Sequence, residues 1–236
     1  MKRQSLVFVL LLLASCIGAV SASPIADNYD FNYPDMSTTP TASDAADYQS
    51  SLYDGSSYTA YASTNCGAGL AYQWMEYDAL FFFNGHGIKD SSTEKGGGVS
   101  FYDGSSYSWI VASGNLNPPY YPISNSNDID DVLLAVYLAC YTAYTHPSYG
   151  NLLDESINKG VDSVIGFEDA ITNSKANDWS DKFWSYTSEE GQTISNAANN
   201  AVDDTYWTFP WGYGGVDSIV LKGSTSETLH PARYGG

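Results

Sequence analysis

Basic residues are what this chain has least of: nine Lys and Arg stand against 27 Asp and Glu in 236 residues, for a formal net charge of −18. Binding to phosphate backbones needs clustered Lys and Arg, so this balance excludes nucleic acid as a partner. It suits a soluble, acidic, exported surface. Cysteine is rarer still, with only Cys16, Cys66 and Cys140. That is too few for a disulfide scaffold, and a Cys66–Cys140 bridge would join a loop to the end of a buried strand, an unusual place for one. The three histidines, His86, His146 and His230, show no cysteine or acid spacing of a metal site, and His146 and His230 read as surface residues. Outside the first 22 residues no apolar run is long enough to span a bilayer.

Those first 22 residues have a purpose of their own. Lys2-Arg3, the apolar run Leu6–Ala14 and the small residues Val20-Ser21-Ala22 follow the order of a secretory signal, predicting a secreted or cell-surface protein. Leu13-Ala14-Ser15-Cys16 also reads as a lipobox, which would make Cys16 a lipidated terminus. The apolar segment continues past it through Ile17–Val20, favouring simple cleavage after Ala22. Losing Lys2 and Arg3 takes the charge from −18 to −20. Residues 23–44, rich in Asp, Asn, Pro, Ser and Thr, read as a flexible lead-in. No hydrophobic first strand is evident between Ser23 and Ser57, so the sheet is expected to be trimmed at one edge. Residues 45–236 are expected to form one domain.

Within that domain, two apolar runs stand out: Ala79–Phe83 (ALFFF), which stops at Asn84-Gly85-His86-Gly87, and DVLLAVYLACYTA over Asp131–Ala143, whose strand ends at Ala139-Cys140. Both read as central strands buried on two faces. A helix is expected near Ala45–Leu52, a strand at Ser57–Ala62 and a helix over Leu70–Tyr77. Val99–Tyr102 and Tyr107–Val111 flank a Gly-containing turn and predict a hairpin. A Pro-rich connector over Asn115–Asn127 precedes the Cys140 strand. Beyond it come a helix at Leu152–Lys159, a buried strand at Val161–Phe167, two helices with apolar residues three or four apart, and a last strand at Val216–Leu221. Alternating strands and helices predict an α/β three-layer sandwich with a mostly parallel sheet flanked by helices.

Ligands of such sheets collect outside the carboxyl ends of the strands, where His86 and Cys140 would meet although 54 residues separate them. A thiol beside an imidazole is a potential nucleophile, and the small Gly87 lets a substrate approach the backbone. Strand, His-Gly, glycine-rich hairpin, strand and Ala-Cys in this order resemble the caspase-like cysteine peptidase clan, most closely its CHAT, clostripain and gingipain-like branches. The caspase type also carries its His about 50 residues before the Cys. GFEDAITNSKANDWSDKFWSYTSEEGQTISNAANNA and VDSIVLKG are similar to that group's later strand, its two helices and its closing strand.

The resemblance implies a secreted cysteine endopeptidase acting on protein or peptide substrates. His86 would be general base and acid, Cys140 the nucleophile, and the Gly87 and Cys140 amides the oxyanion donors. Leu138, two residues before the nucleophile, would line the substrate pocket and disfavour basic side chains, with Glu168 and Asp169 as further pocket residues that also read as a solvated loop. No cofactor is implied; a structural calcium is compatible with the fold but not indicated by the sequence. The alternative is a catalytically inactive scaffold serving as an extracellular binding module. Trp207 and Trp211, in TYWTFPWGYGG, would either form a ligand platform or cap a core edge, and the second is the expectation. Cys66 reads as a small buried side chain at a helix start.

Overall fold

The computed structural model describes residues 22–89, 95–127 and 129–236, so all but the last residue of the expected signal, Cys16 included, lies outside the described residues. Its strands are β1 (Ile25–Asp30), β2 (Thr59–Thr64), β3 (Asp78–Asn84), β4 (His86–Lys89), β5 (Lys95–Tyr102), β6 (Tyr107–Val111), β7 (Tyr120–Pro122), β8 (Leu134–Leu138), β9 (Ser163–Phe167) and β10 (Ile219–Gly223). Its helices are α1 (Thr41–Gln49), α2 (Ala68–Trp74), α3 (Leu152–Asn158), α4 (Asn173–Thr187) and α5 (Ile194–Tyr206).

Six strands form the main sheet in the order β10-β9-β8-β3-β1-β2. All pair in parallel except β10, which runs antiparallel to β9. The side-chain period of two divides each strand between two cores. Leu80, Phe82, Val136, Leu138 and Ile165 face α1, α4 and α5, where Phe82 meets Trp184 edge-on at 5.4 Å. Phe81, Phe83, Tyr137 and Val164 face α2, α3 and the inner side of a second sheet, β4-β5-β6-β7. The fold is therefore α/β, with the mixed sheet covered on both faces. The β5–β6 hairpin is as expected, whereas the Pro-rich connector also contributes β7, parallel to β6.

One expectation fails. The lead-in predicted over residues 23–44 contains β1 and the start of α1, and β1 is an interior strand between β3 and β2, so the sheet is not trimmed there. Its sequence, IADNYD, looks unlike a buried strand, and two of its polar side chains, Asn28 and Asp30, are satisfied by specific partners. Asn28 and Gln49 exchange two amide hydrogen bonds at 2.8 and 2.9 Å. Asp30 accepts from the Ala42 N–H at 3.2 Å and the Thr64 hydroxyl at 2.6 Å. Buried polar groups with such partners cost little, so the strand forms without an apolar run.

Helix α1 connects β1 to β2 across one face of the sheet, and α2 connects β2 to β3 across the other. The crossovers thus change faces between β1 and β3. In a doubly wound sheet the crevice opens at the carboxyl ends of the strands flanking that point.

Candidate functional site

His86 stands at that crevice, just past the end of β3, and Cys140 stands beside it, past the end of the neighbouring β8. Strands β3 and β8 are neighbours, with Asn84 opposite Leu138. His86 lies two residues past Asn84 and Cys140 two past Leu138, so the register carries both to the same level beyond the sheet. A small cleft of about 30 Å³ is lined by His86, Leu138 and Cys140 together with Met36, Asn84, Gly85, Ile171, Asn173 and Ala176. The walls are mainly apolar, and among the described residues no acid lines them.

The Cys140 mount is a strained turn. Strand β8 ends at Leu138, and Tyr141 takes φ = 61°. A bulky residue in the left-handed region costs about 1–3 kcal/mol and persists only where its surroundings impose it. Those surroundings are identifiable. The Tyr141 N–H donates to the Asp169 carbonyl at 3.1 Å, and the Lys95 ammonium sits 4.3 Å above the Tyr141 ring. Thr142, fully buried, donates to the Tyr137 carbonyl at 2.9 Å and accepts from the Phe167 N–H at 3.0 Å, tying the ends of β8 and β9 together. The thiol turned out by this bend accepts the Ile171 N–H at 3.2 Å. Cys140 and Cys66 are both free, so they are not bridged. Burial pushes the Cys66 thiol up to about 11, which leaves it an inert side chain just before α2.

The His86 ring is held from the segment after β1. Its Nε2 lies 3.1 Å from Asp35 Oδ1, and its ring packs on Tyr33 with centroids 4.4 Å apart. The His86 N–H donates to the Tyr33 hydroxyl at 3.2 Å, which itself donates to the Ser100 carbonyl at 2.5 Å. The hydrogen bond from His86 holds the Asp35 carboxyl below its usual range. The Asp35 carboxylate thus engages Nε2, while the Cys140 thiol is met by the Ile171 N–H at 3.2 Å and the Ile171 carbonyl at 3.6 Å. Gly87 lies so close to Cys140 that an added Cβ would overlap the Cys140 carbonyl oxygen. Glycine is required there for close approach.

Glu168 and Asp169 are exposed and do not line the cleft. Their backbone amides are drawn to Ser218, at 3.0 and 3.1 Å, and it is Ile171 that faces the thiol. Sequence reasoning missed Asp35 and Tyr33, which fall in the supposed lead-in; an acid shortly after a strand was the only signal. It also misplaced His146, which is buried and accepts the Ser148 and Tyr149 N–H groups on Nδ1 at 3.0 and 3.2 Å. Trp207 and Trp211 do not cap a core edge: both are exposed, as is Phe209, and only Tyr213 of that run packs on the core. Among the described residues no group of three or more His, Cys, Asp or Glu is placed to hold a metal ion, and no helix is long and apolar enough to cross a membrane.

No protein-family model matches this chain, and neither does any curated protein.

Proposed function

We propose that the protein is a secreted cysteine endopeptidase of caspase-like architecture, with Cys140 as nucleophile, His86 as acid–base and Asp35 as the group that orients His86. The observation that carries this reading is the β3–β8 register, which sets an imidazole and a free thiol at one level in one cleft. His86 takes the Cys140 proton as sulfur attacks the peptide carbonyl. The oxyanion is met by the Gly87 and Cys140 amides, and losing one such donor typically costs about 3–4 kcal/mol of transition-state stabilisation. The tetrahedral adduct collapses as His86 protonates the departing amine, leaving a thioester on Cys140. Water, deprotonated by His86, then releases the acid and restores the thiol. Leu138, Met36 and Ile171 give the pocket an apolar character, so small apolar side chains are preferred over Arg and Lys.

An alkylating peptide probe tests this. Parent protein should cleave a peptide library and carry the label on Cys140, while Cys140→Ala should do neither. Equal turnover by the two proteins would refute the assignment. A second reading, a non-catalytic binding module, is favoured by the exposed Trp207, Phe209 and Trp211. In that case the parent would not turn over any peptide, and Trp211→Ala would weaken capture of a partner.

A further inference from the structure

A second cavity lies at the opposite end of the sheet, where β1 and β3 begin. It measures about 480 Å³ and is lined by Ile25, Asp27, Tyr61, Trp74, Tyr77 and Asp78 among others. Its chemistry divides into walls and floor. Tyr61, Trp74 and Tyr77 are exposed aromatic rings contributed by β2, the end of α2 and the turn before β3. Asp27 and Asp78 are 4% and 0% exposed, on neighbouring strands.

Among the described residues, neither oxygen of Asp78 receives a hydrogen bond from a donor. The group beside it is the Asp27 carboxyl, whose Oδ2 accepts the Tyr29 hydroxyl at 3.3 Å. Two acceptors side by side can bond only by holding a proton between them, and burial pushes both carboxyls up accordingly. Among the described residues no Lys, Arg or His lines the cavity; besides the two acids, the titratable groups around it are Tyr29, Tyr61, Tyr77 and Cys66. The floor is short of N–H donors and of positive charge, and the rings above favour a cation over their faces.

We propose that this cavity binds a primary alkylammonium ion, its N–H groups donating to Asp78 and Asp27 and its alkyl stem lying against Trp74. A primary ammonium supplies the donors that Asp78 lacks; a quaternary one supplies none. Binding displaces the proton shared by the two carboxyls into solvent. The site is independent of the Cys140 cleft.

Calorimetric titration with butylamine and with Nα-acetyl-lysine methylamide tests the proposal. Both should give saturable heats with the parent and with Cys140→Ala, and those heats should change with the ionisation enthalpy of the buffer as a proton is released. Butanol and tetramethylammonium should bind at least about tenfold more weakly. Asp78→Asn should weaken amine binding at least about tenfold, which corresponds to 1.4 kcal/mol. Trp74→Ala, at a half-exposed position, should weaken it several-fold and serves if Asp78→Asn misfolds. Tighter binding of the lysine derivative than of butylamine points to a lysine of a partner protein, and the reverse to a free amine. The proposal is overturned if neither amine binds, if butanol binds equally well, if both variants bind like the parent, or if calcium competes more tightly than either amine.

Discussion

Asp78→Asn should make the protein more stable at neutral pH and flatten its dependence on pH. In the folded chain Asp27 and Asp78 are buried together and retain a proton that both would give up in the unfolded chain. Where the folded state binds one proton more than the unfolded state, stability falls by about 1.4 kcal/mol for each unit of rising pH. That window opens near the unfolded carboxyl value of about 3.9, so by pH 7 the retained proton costs at most about 4 kcal/mol. Asparagine has the same shape, needs no proton and offers an N–H to the Asp27 carboxylate. Asp27 remains buried, so about half of that limit, roughly 2 kcal/mol, is the expected gain, worth about 4–8 °C in Tm for a domain of this size. Thermal melts from pH 5 to pH 8 check it. The parent Tm should fall through this range relative to the variant, and the gap should widen with pH. A variant that melts lower than the parent at pH 8, or a gap constant across the range, would refute the shared proton.

Gly87→Ala forces a carbon onto the Cys140 carbonyl oxygen, a backbone atom that cannot swing aside. Overpacking of this kind costs about 1–3 kcal/mol, and a lowered urea midpoint should show it, whereas Gly67→Ala, whose added carbon meets only Ser108 Oγ at 3.9 Å, should shift the midpoint little. Asp35→Asn should reduce kcat/KM only modestly. The Asp35 side chain is 68% exposed and His86 32%, and an exposed pair is worth about 0.2–1 kcal/mol, or roughly 1.5- to 5-fold. A thousandfold loss would mean that substrate seals the pair from water. Thr142→Val strands the buried Phe167 N–H and should cost about 1–3 kcal/mol by chemical denaturation while slowing alkylation of Cys140. Thr142→Ser, which keeps the hydroxyl, should restore the alkylation rate.

The strands that bury apolar side chains on both faces were legible because nothing else explains ALFFF or LLAVYL; their adjacency followed from the alternation of strands and helices. The turn after β8 was not. Ala-Cys at a strand end is visible in the sequence, but φ = 61° at Tyr141 is imposed by Lys95 and by the end of β9 with the residues after it, through the Asp169 carbonyl and the Phe167 N–H bound to Thr142, two segments distant in sequence. Local propensity would resist that conformation, and only tertiary contacts override it. His146 was misread for a related reason: a histidine flanked by polar residues and proline looks solvated until its Nδ1 is seen to accept two amides of its own turn.

Strand β1 is the instructive failure, because the polarity that hid it is the polarity that both candidate sites use. Asp27, near its amino end, forms the floor of the amine cavity with Asp78, and the chain leaving its carboxyl end delivers Tyr33 and Asp35 to His86. A strand of Val and Ile at this position would have been recognised at once and would have packed as well. It would have left the amino end of the sheet without a carboxyl pair. Sequence rules for buried strands therefore fail here where buried polar groups line the candidate sites, and an unexplained Asp within a short run such as IADNYD is itself a pointer to a candidate site.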